Sequence, residues 1–339
     1  MIDVGLIGCG KRALWYGAIF ADIDPNVYAA LDPAAYHHMT YYQHVELQVA
    51  RPTGFRLVKI HDSDQQAAKV LASAFRTKPE MCATLDEVSK GTDLVFVTED
   101  GGDGARHLEL ASPGLSRGVP TFVDRPFAGT VKDAKAMVAL AKRSGAPLLS
   151  CSHLRMLPAA ARFKARFPEI GAVEMGIVLG HGPNPAQVAD GIDLALFLFG
   201  DEFGGQAASV QSMGGSPLEV ALITFSSGER GPRKRQRRRT APVPSERVLQ
   251  VLVNNLHADL PRSSFWAKAV SHGNALDSPD FGAFAQTEGG VAVMNALKDM
   301  VLTGGPPLSY EHLLEPVAIV EAGRKAHKRP RPVSLAALR

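Results

Sequence analysis

The N-terminal turn constrains this chain most strongly, because it joins an apolar run to a helical pattern through two glycines. Residues 3–7 are predicted to form a strand that ends at Gly8, and Gly10 and Ala13 complete the spacing Gly-x-Gly-x-x-Ala. In such a turn the first glycine permits a tight bend, the second lets a pyrophosphate approach the backbone, and the small third residue lets helix and strand pack closely. Because a helix N-terminus supplies free amides to a phosphate, the turn predicts a dinucleotide site.

Strands and helices then alternate through residue 150. Predicted strands at 3–7, 55–61, 93–98, 119–123 and 147–151 alternate with predicted helices at 11–21, 65–75, 105–116 and 130–144. This alternation predicts an α/β fold, with a parallel sheet covered by helices on both faces, over residues 1–150. Residues 22–52 interrupt the pattern as an insertion, within which a helix is predicted over 34–49 and Pro25 and Pro33 indicate breaks.

The pattern changes after about residue 150. Segments at 206–213, 220–226, 247–256 and 265–271 are joined by turn residues and predict strands linked by hairpins, and a further strand is predicted at 173–179. Helices are predicted at 158–167, 187–199, 287–303 and 310–328. We therefore expect a second domain over residues 151–339, of the α+β class with a largely antiparallel sheet.

Charge is concentrated in one place. The formal net charge is +3, but residues 230–239 hold seven basic side chains and no acid, so the remainder is net negative. A nucleic-acid-binding surface usually spreads its basic residues over a face or a helix. This run is flanked by prolines within a loop at 228–244, so we interpret it as a solvated hairpin loop; a site for nucleic acid, another polyanion or a partner protein is the alternative.

Cysteine and hydropathy patterns exclude several other classes. Cys9, Cys82 and Cys151 lie far apart without a Cys-x-x-Cys pair, which argues against a disulfide framework or a zinc site. No run of about 18 uncharged apolar residues is present. The apolar start at residues 2–7 is too short for a signal peptide. We expect a cytoplasmic protein with no membrane contact and no metal.

Asp62 follows the second predicted strand, where a carboxylate is suited to accept hydrogen bonds from an adenine ribose. Its neighbours Ser63 and Asp64 are not basic, so nothing there would neutralise a 2′-phosphate. NAD is therefore favoured over NADP. Lys11 and Arg12, in the first predicted helical turn, are the side chains that could instead reach a phosphate.

The run Val123-Asp124-Arg125-Pro126-Phe127 resembles the Glu-Lys-Pro signature of the glucose-fructose oxidoreductase, inositol dehydrogenase and MocA family. The likeness continues at Arg155-Met156-Leu157-Pro158, at Ile192-Asp193-Leu194-Ala195 and from Leu302 to Leu335. The resemblance implies a Rossmann domain and then a substrate domain with an open sheet that shields the nicotinamide and mediates a dimer or tetramer. It also implies hydride transfer between NAD(P) and a small polar substrate, sugar- or cyclitol-like or carboxylated.

Three positions depart from the family's pattern. The signature lysine is Arg125, the family's histidine position on the helix at 187–199 is Asp190, and its aspartate position four residues earlier is Ala186. Oxidation of an alcohol needs a group that accepts the hydroxyl proton. The pKa of arginine, about 12.5 to 13.8, keeps Arg125 charged. We expect Arg125 to orient the substrate or polarise a carbonyl while another group moves the proton.

Three side chains are candidates for that proton transfer. Asp190 and Asp193 lie one helical turn apart and could perturb each other, and His181 follows a predicted strand. The alternative is that Asp193 makes structural contacts and Asp190 points to solvent. Arg155 and Asn184 are expected to line the substrate pocket.

The loop after the strand at 93–98 is acidic and glycine-rich, where the family has Thr-Pro. Its acids could bind ribose, repel phosphate or occupy the nicotinamide subsite, or the loop could be a surface turn. The expected cofactor-binding set is Gly8, Cys9, Gly10, Lys11, Arg12, Asp62, Thr98, Glu99, Asp100, Asp124 and Pro126. These features predict an NAD(P)-dependent oxidoreductase; the alternative is a protein of this fold without ordinary dehydrogenase activity, namely a cofactor-binding regulator, a partner subunit or a non-redox enzyme that uses bound NAD.

Overall fold

The structure is a computed structural model in two compact units, Met1–Leu157 with Phe284–Val317, and Pro158–Ala283 with Ala318–Arg339. It describes residues 1–33, 52–99, 102–181, 185–204, 206–215, 218–226, 246–254, 264–282, 288–328 and 331–338. The basic loop predicted at 228–244 and the helix predicted over 34–49 lie outside these residues. No helix in the described ranges is long and apolar enough to cross a membrane.

The first unit contains a six-stranded parallel sheet. Its strands are β1 (Ile2–Ile7), β2 (Phe55–His61), β3 (Glu80–Met81), β4 (Leu94–Val97), β5 (Thr121–Val123) and β6 (Leu148–Leu149), in the order β3-β2-β1-β4-β5-β6. Successive strands are added on one side of β1 up to β3 and on its other side from β4 onward, so the strand order reverses between β1 and β4. Ligands of such sheets bind outside the carboxyl ends of the strands at that point. The predicted α/β class and its Rossmann order are confirmed.

The described helices follow the predicted alternation. They are α1 (Lys11–Phe20), α2 (Pro25–Leu31), α3 (Gln65–Ala74), α4 (Leu85–Ser89), α5 (His107–Ser116), α6 (Val131–Ser144), α7 (Pro158–Ala165), α8 (Pro185–Phe203), α9 (Gly290–Thr303) and α10 (Tyr310–His327). Helix α6 begins where its sequence indicates, because Thr130 Oγ1 accepts a hydrogen bond from the Asp133 amide at 3.1 Å. It ends at Gly145, which has a φ of 71°.

Helix α2 forms where a break was predicted at Pro25. Pro25 occupies its first turn, where a fixed φ suits a helix and the missing amide is not needed. Asp24 caps the helix, since its Oδ1 accepts from the amides of Asn26 and Val27 at 2.9 and 3.3 Å. The proline therefore opens a helix here.

Helix α9 packs into the core of the first unit although it is distant in sequence. Val291, Met294 and other apolar residues of α9 belong to the same buried cluster as β1 and α1. A Cβ on Gly290 would overlap Ile19 and lie 2.8 Å from the Trp15 ring, so α1 and α9 can approach this closely only with glycine there. The compact units thus differ from the predicted division at residue 150, because Phe284–Val317 joins the first unit.

The second unit is built on a seven-stranded sheet. Its strands are β7 (Met175–His181), β8 (Ala207–Gly215), β9 (Leu218–Ser226), β10 (Glu246–Asn254), β11 (Trp266–Val270), β12 (Ala275–Asp277) and β13 (Val333–Ser334), in the order β12-β11-β7-β10-β9-β8-β13. Strands β7 and β10 pair in parallel, and the other described pairs are antiparallel. The predicted α+β character is confirmed. Helix α8 packs on this sheet where Gly176 of β7 lets the Phe199 ring approach the strand.

Candidate active site

The ends of three strands meet at the glycine turn. The Gly8 amide donates a hydrogen bond to the His61 carbonyl at 2.9 Å, and Thr98 Oγ1 donates to the Ile7 and Gly8 carbonyls, each at 3.2 Å. Gly8 has a φ of 88°, and a Cβ there would overlap the Thr98 carbonyl oxygen. Only glycine therefore fits at the switch point between β1 and β4.

Helix α1 begins at the same place. Gly10 is its N-cap residue and offers no side-chain cap, and the first turn of the helix contains no acid. Its amides and the positive end of its dipole are thus directed at the space beyond the turn, as anion binding requires.

Asp62 lies beside this turn, as its sequence position predicts. Its Oδ2 accepts a hydrogen bond from the Cys9 amide at 2.7 Å, and its Oδ1 accepts from the Asp64 amide at 2.9 Å. The carboxylate borders a cavity of about 370 Å³. That cavity is also lined by Gly8, Cys9, Gly10, His61, Ser63, Thr98, Glu99 and Arg106. The two glycines leave room for the phosphates of NAD beside the N-terminus of α1, and the Asp62 carboxylate is suited to accept hydrogen bonds from a ribose.

Two further features of the cavity concern its chemistry. The Cys9 thiol is buried, and this burial raises its pKa to about 12, with the charges of Asp62 and Asp64 adding to the effect. The thiol therefore stays protonated and unreactive.

Arg106 is a cation that also lines this cavity and that the sequence did not indicate as a site residue. Its Nε lies 3.7 Å from a carboxylate oxygen of Glu109.

A buried cluster of opposite charges lies at the end of β5. Asp124 accepts hydrogen bonds from Arg12 Nε at 2.9 Å, from Arg12 Nη2 at 3.1 Å and from Arg125 Nη1 at 2.8 Å. Burial by itself would raise the pKa of Asp124, but the charges of Arg12 and Arg125 outweigh it and hold that pKa well below its usual range. The carboxylate is therefore ionised.

Aromatic rings fix Arg12 against this carboxylate. Its guanidinium carbon lies 5.2 Å from the ring centroids of both Trp15 and Tyr16. The structure thus places Arg12 on Asp124, and phosphate contact by Arg12 stays a prediction. Lys11 is exposed and lies 3.8 Å from Asp32.

Arg125 lies at the same sheet edge as the glycine turn. The Asp124 amide donates to the Val97 carbonyl at 2.9 Å, which aligns the signature with the end of β4. The Arg125 side chain is only 6% exposed, and the Arg125–Pro126 peptide bond is cis. A permanently charged guanidinium is therefore held beside the crevice in which parallel sheets of this order bind ligands.

His153 is a member of this neighbourhood that sequence reasoning missed. Its ring lies 5.8 Å from that of Trp15, and its buried Nδ1 makes no hydrogen bond within the described residues. Burial, followed by the charges of Arg125 and Arg12, lowers its pKa well below the usual value. The imidazole is neutral. Its one signal in the sequence is its position two residues before Arg155.

Glu99 turns inward toward the signature loop. Its Oε2 lies 3.6 Å from His107 Nε2, and His107 Nδ1 lies 3.3 Å from the Phe127 carbonyl oxygen. The Glu99 side chain is 23% exposed. Asp100 lies outside the described residues. Glu99 is the acidic residue of this loop that the described structure places at the cavity.

The remaining candidate site residues all follow β6 in the chain. Asp190 and Asp193 are both buried on α8, so the alternative of a solvent-facing Asp190 is wrong. Arg155 is buried in the segment after β6. The His181 side chain and Asn184 lie outside the described part of the chain.

Comparisons with known proteins agree with this geometry. Residues 2–152 match the model of an oxidoreductase family with an NAD-binding Rossmann fold. D-apiose dehydrogenase from Paraburkholderia graminis is 27% identical over 206 residues, which cover 52% of this chain and 52% of that protein. The chain therefore spans about half the length of that curated relative.

Solved structures extend the likeness over both units. Myo-inositol dehydrogenase from Lactobacillus casei, in complex with NAD(H) and myo-inositol, has a TM-score of 0.71 at 16% identity and covers 98% of this chain and 96% of its own. Myo-inositol dehydrogenase from Corynebacterium glutamicum has a TM-score of 0.69 at 15% identity, with 99% of each chain covered. At such identities the likeness establishes the fold. Over residues 2–152, the chain matches the glucose-fructose oxidoreductase, inositol dehydrogenase and MocA family of oxidoreductases with an NAD-binding Rossmann fold.

Proposed function

We propose that the protein is an NAD-dependent dehydrogenase that transfers hydride between nicotinamide and the carbinol carbon of a small polar, sugar- or cyclitol-like or carboxylated substrate. The observation that carries this proposal is the placement of Arg125 at the sheet edge that also holds the glycine turn. The names of the relatives support the substrate class, because they act on an aldose and on cyclitols.

The first unit would hold NAD through groups already in position. Gly8, Gly10 and the N-terminus of α1 would bind the pyrophosphate, and Asp62 would accept hydrogen bonds from ribose hydroxyls. NAD supplies the hydride acceptor of the reaction. Glu99 borders the same cavity and is proposed to contact a ribose as well.

Arg125 would bind and orient the substrate, not take its proton. Deprotonation of a guanidinium near pH 7 costs roughly 7 to 9 kcal/mol. Arg12 and Arg125 both pair with the carboxylate of Asp124, and each guanidinium keeps its own positive charge. Such a fixed charge favours an oxyanion that develops at a substrate oxygen. The proton would move to Asp190, Asp193 or His181, and we propose that a dimer or tetramer forms through the second unit.

One observation favours a second function. All three positions that the family uses for proton transfer and substrate orientation are changed, as Arg125, Asp190 and Ala186. A cofactor-binding regulator, a partner subunit or a non-redox enzyme with bound NAD would tolerate those changes.

Absorbance at 340 nm, with NAD and a panel of aldoses, cyclitols and sugar acids, tests the proposal. We expect turnover of at least one compound and a loss of about 10²-fold or more in kcat for Arg125→Met. Arg117→Met is the matched control, because Arg117 is exposed and pairs with Asp86. NAD binding without turnover by the native protein, together with turnover gained in Arg125→Lys, would contradict the proposal and support the second function.

A further inference from the structure

The second unit contains a pocket that the proposed dehydrogenase chemistry does not use. Its volume is about 450 Å³, and it lies between the first half of α8, strands β8 and β9, and the last turns of α10. All of its described lining residues belong to the second unit. The volume falls within the range of roughly 300 to 1,000 Å³ that is typical of small-molecule sites.

The pocket lies on a different face of α8 from the candidate catalytic carboxylates. Val188 and Ile192 face the pocket, one turn apart. With 3.6 residues per turn, Asp190 and Asp193 point about 120 to 180° away from that direction around the helix axis. The pocket is therefore separate from the carboxylates proposed to move the proton.

The walls of the pocket are apolar. Val188 and Ile192 of α8, Ala221 of β9, and Ile319 and Val320 of α10 supply aliphatic surface. Removing such surface from water is favourable, so an apolar body of matching size would be stabilised there.

Gly323 keeps the pocket open. It lies in the interior of α10, where glycine is less favourable than alanine. A Cβ at this position would meet nothing nearer than Val210 Cγ1 at 4.0 Å, so close packing of the protein does not require glycine. The missing side chain leaves room in the pocket instead.

One end of the pocket carries basic side chains. Arg324, His327 and Lys328 line it, and none of its described lining residues is acidic. Lys325 lies among them in sequence but does not line the pocket, and its Nζ pairs with Glu321 at 2.6 Å. Cations at a helix C-terminus complement the helix dipole, but that role does not require an apolar cavity beside them.

We propose that this pocket binds an amphipathic monocarboxylate. The apolar body lies against α8, β9 and α10, and the carboxylate lies at Arg324, His327 and Lys328. Charge complementarity selects an anion, because charged hydrogen bonds to a carboxylate are about twice as strong as neutral ones. The apolar walls exclude a small hydrated anion as the preferred ligand, since it would leave that surface in contact with water.

Isothermal titration calorimetry on the full chain, with decanoate as the probe and 1-decanol as its uncharged match, tests the proposal. We expect one decanoate per chain, bound at least about tenfold more tightly than decanol. Gly323→Leu fills the pocket and should abolish binding, whereas Gly323→Ala should retain it. Arg324→Gln and Lys328→Gln should weaken decanoate but not decanol, and Lys325→Gln should change neither. Near-UV circular dichroism and the urea midpoint of each variant show whether both units are folded, whatever the enzymatic activity.

Three results would overturn the proposal. The first is the absence of decanoate binding to the native chain, and the second is equal affinity for decanoate and decanol. The third is native-like binding by Gly323→Leu in a chain whose two units are folded. If decanoate fails to bind and Gly323→Leu instead changes the sedimentation of the protein, a second copy of the chain covers the pocket and the proposal is wrong.

Discussion

Asp124 pairs with the guanidinium groups of Arg12 and of the buried Arg125, so Asp124→Asn should be strongly destabilising. The Asp124 side chain is only 2% exposed and accepts three hydrogen bonds from these arginines. Removal of one partner from a buried ion pair costs about 3 to 5 kcal/mol, because the remaining charge stays buried without compensation. Arg12 is 28% exposed, which favours the lower end of that range.

Urea unfolding measures this change, with Trp15 fluorescence as the probe in a Trp266→Phe background. Asp86→Asn is the matched control, since Asp86 pairs with Arg117 at 2.6 Å but the two side chains are 61% and 40% exposed. An exposed pair contributes at most about 1 kcal/mol, even at short distance. A loss for Asp124→Asn no larger than that for Asp86→Asn would refute the reasoning, because burial would then not decide the contribution.

The same pair of variants has a defined pH dependence. The pKa of Asp124 is depressed in the folded state, whereas an unfolded aspartate has a pKa of about 3.9. The stabilisation by its carboxylate is therefore complete above about pH 5 and is lost as the pH falls through the folded-state pKa. The difference in unfolding free energy between the native chain and Asp124→Asn should shrink below pH 4, and a difference that grows there would contradict the assignment.

Three further changes test other parts of the structure. Gly8→Ala places a Cβ on the Thr98 carbonyl oxygen at positive φ, so NAD affinity measured by titration should fall at least about tenfold, and native affinity would argue against this turn as the site. The Cys9 thiol, with a pKa of about 12, should react with a disulfide reagent at pH 8 only after unfolding; rapid labelling of the folded chain would show that it is not buried. Burial lowers the pKa of His153 in the folded state, so the native chain should lose stability between pH 7.5 and 5.5 that His153→Gln does not lose, and parallel urea midpoints would exclude a buried neutral imidazole.

Much of the first unit could be predicted because most of its strands and helices are long enough to show a hydrophobic pattern. The strand at Phe55–His61 and the helix between Thr130 and Gly145 have bounds that the sequence indicates directly. The two-residue β3 and the five-residue α4 are too short for a periodic signal. Pro25 was ambiguous, because proline ends one helix and opens another.

The parts of the site that depend on distant contacts could not be predicted. Asp62 was identifiable from its place after a strand, but nothing local indicates that Asp124 binds Arg12, which is 112 positions away. His153 carries no motif, and its environment arises from Trp15 and the arginines. The membership of Phe284–Val317 in the first unit likewise follows from packing that only the folded chain reveals.

The pH dependence of kcat/KM for NAD reduction by the native chain and Arg125→Lys tests the central claim most directly. The account predicts that kcat/KM of the native chain increases with pH through the ionisation of a carboxylate or imidazole and reaches its plateau below neutrality. The plateau should then extend to at least about pH 10, because Arg125 does not titrate there. The account also predicts that Arg125→Lys keeps that acidic ionisation. A native profile that rises only above pH 10, through an ionisation that moves to lower pH in Arg125→Lys, would identify residue 125 as the group that moves the proton and contradict the account.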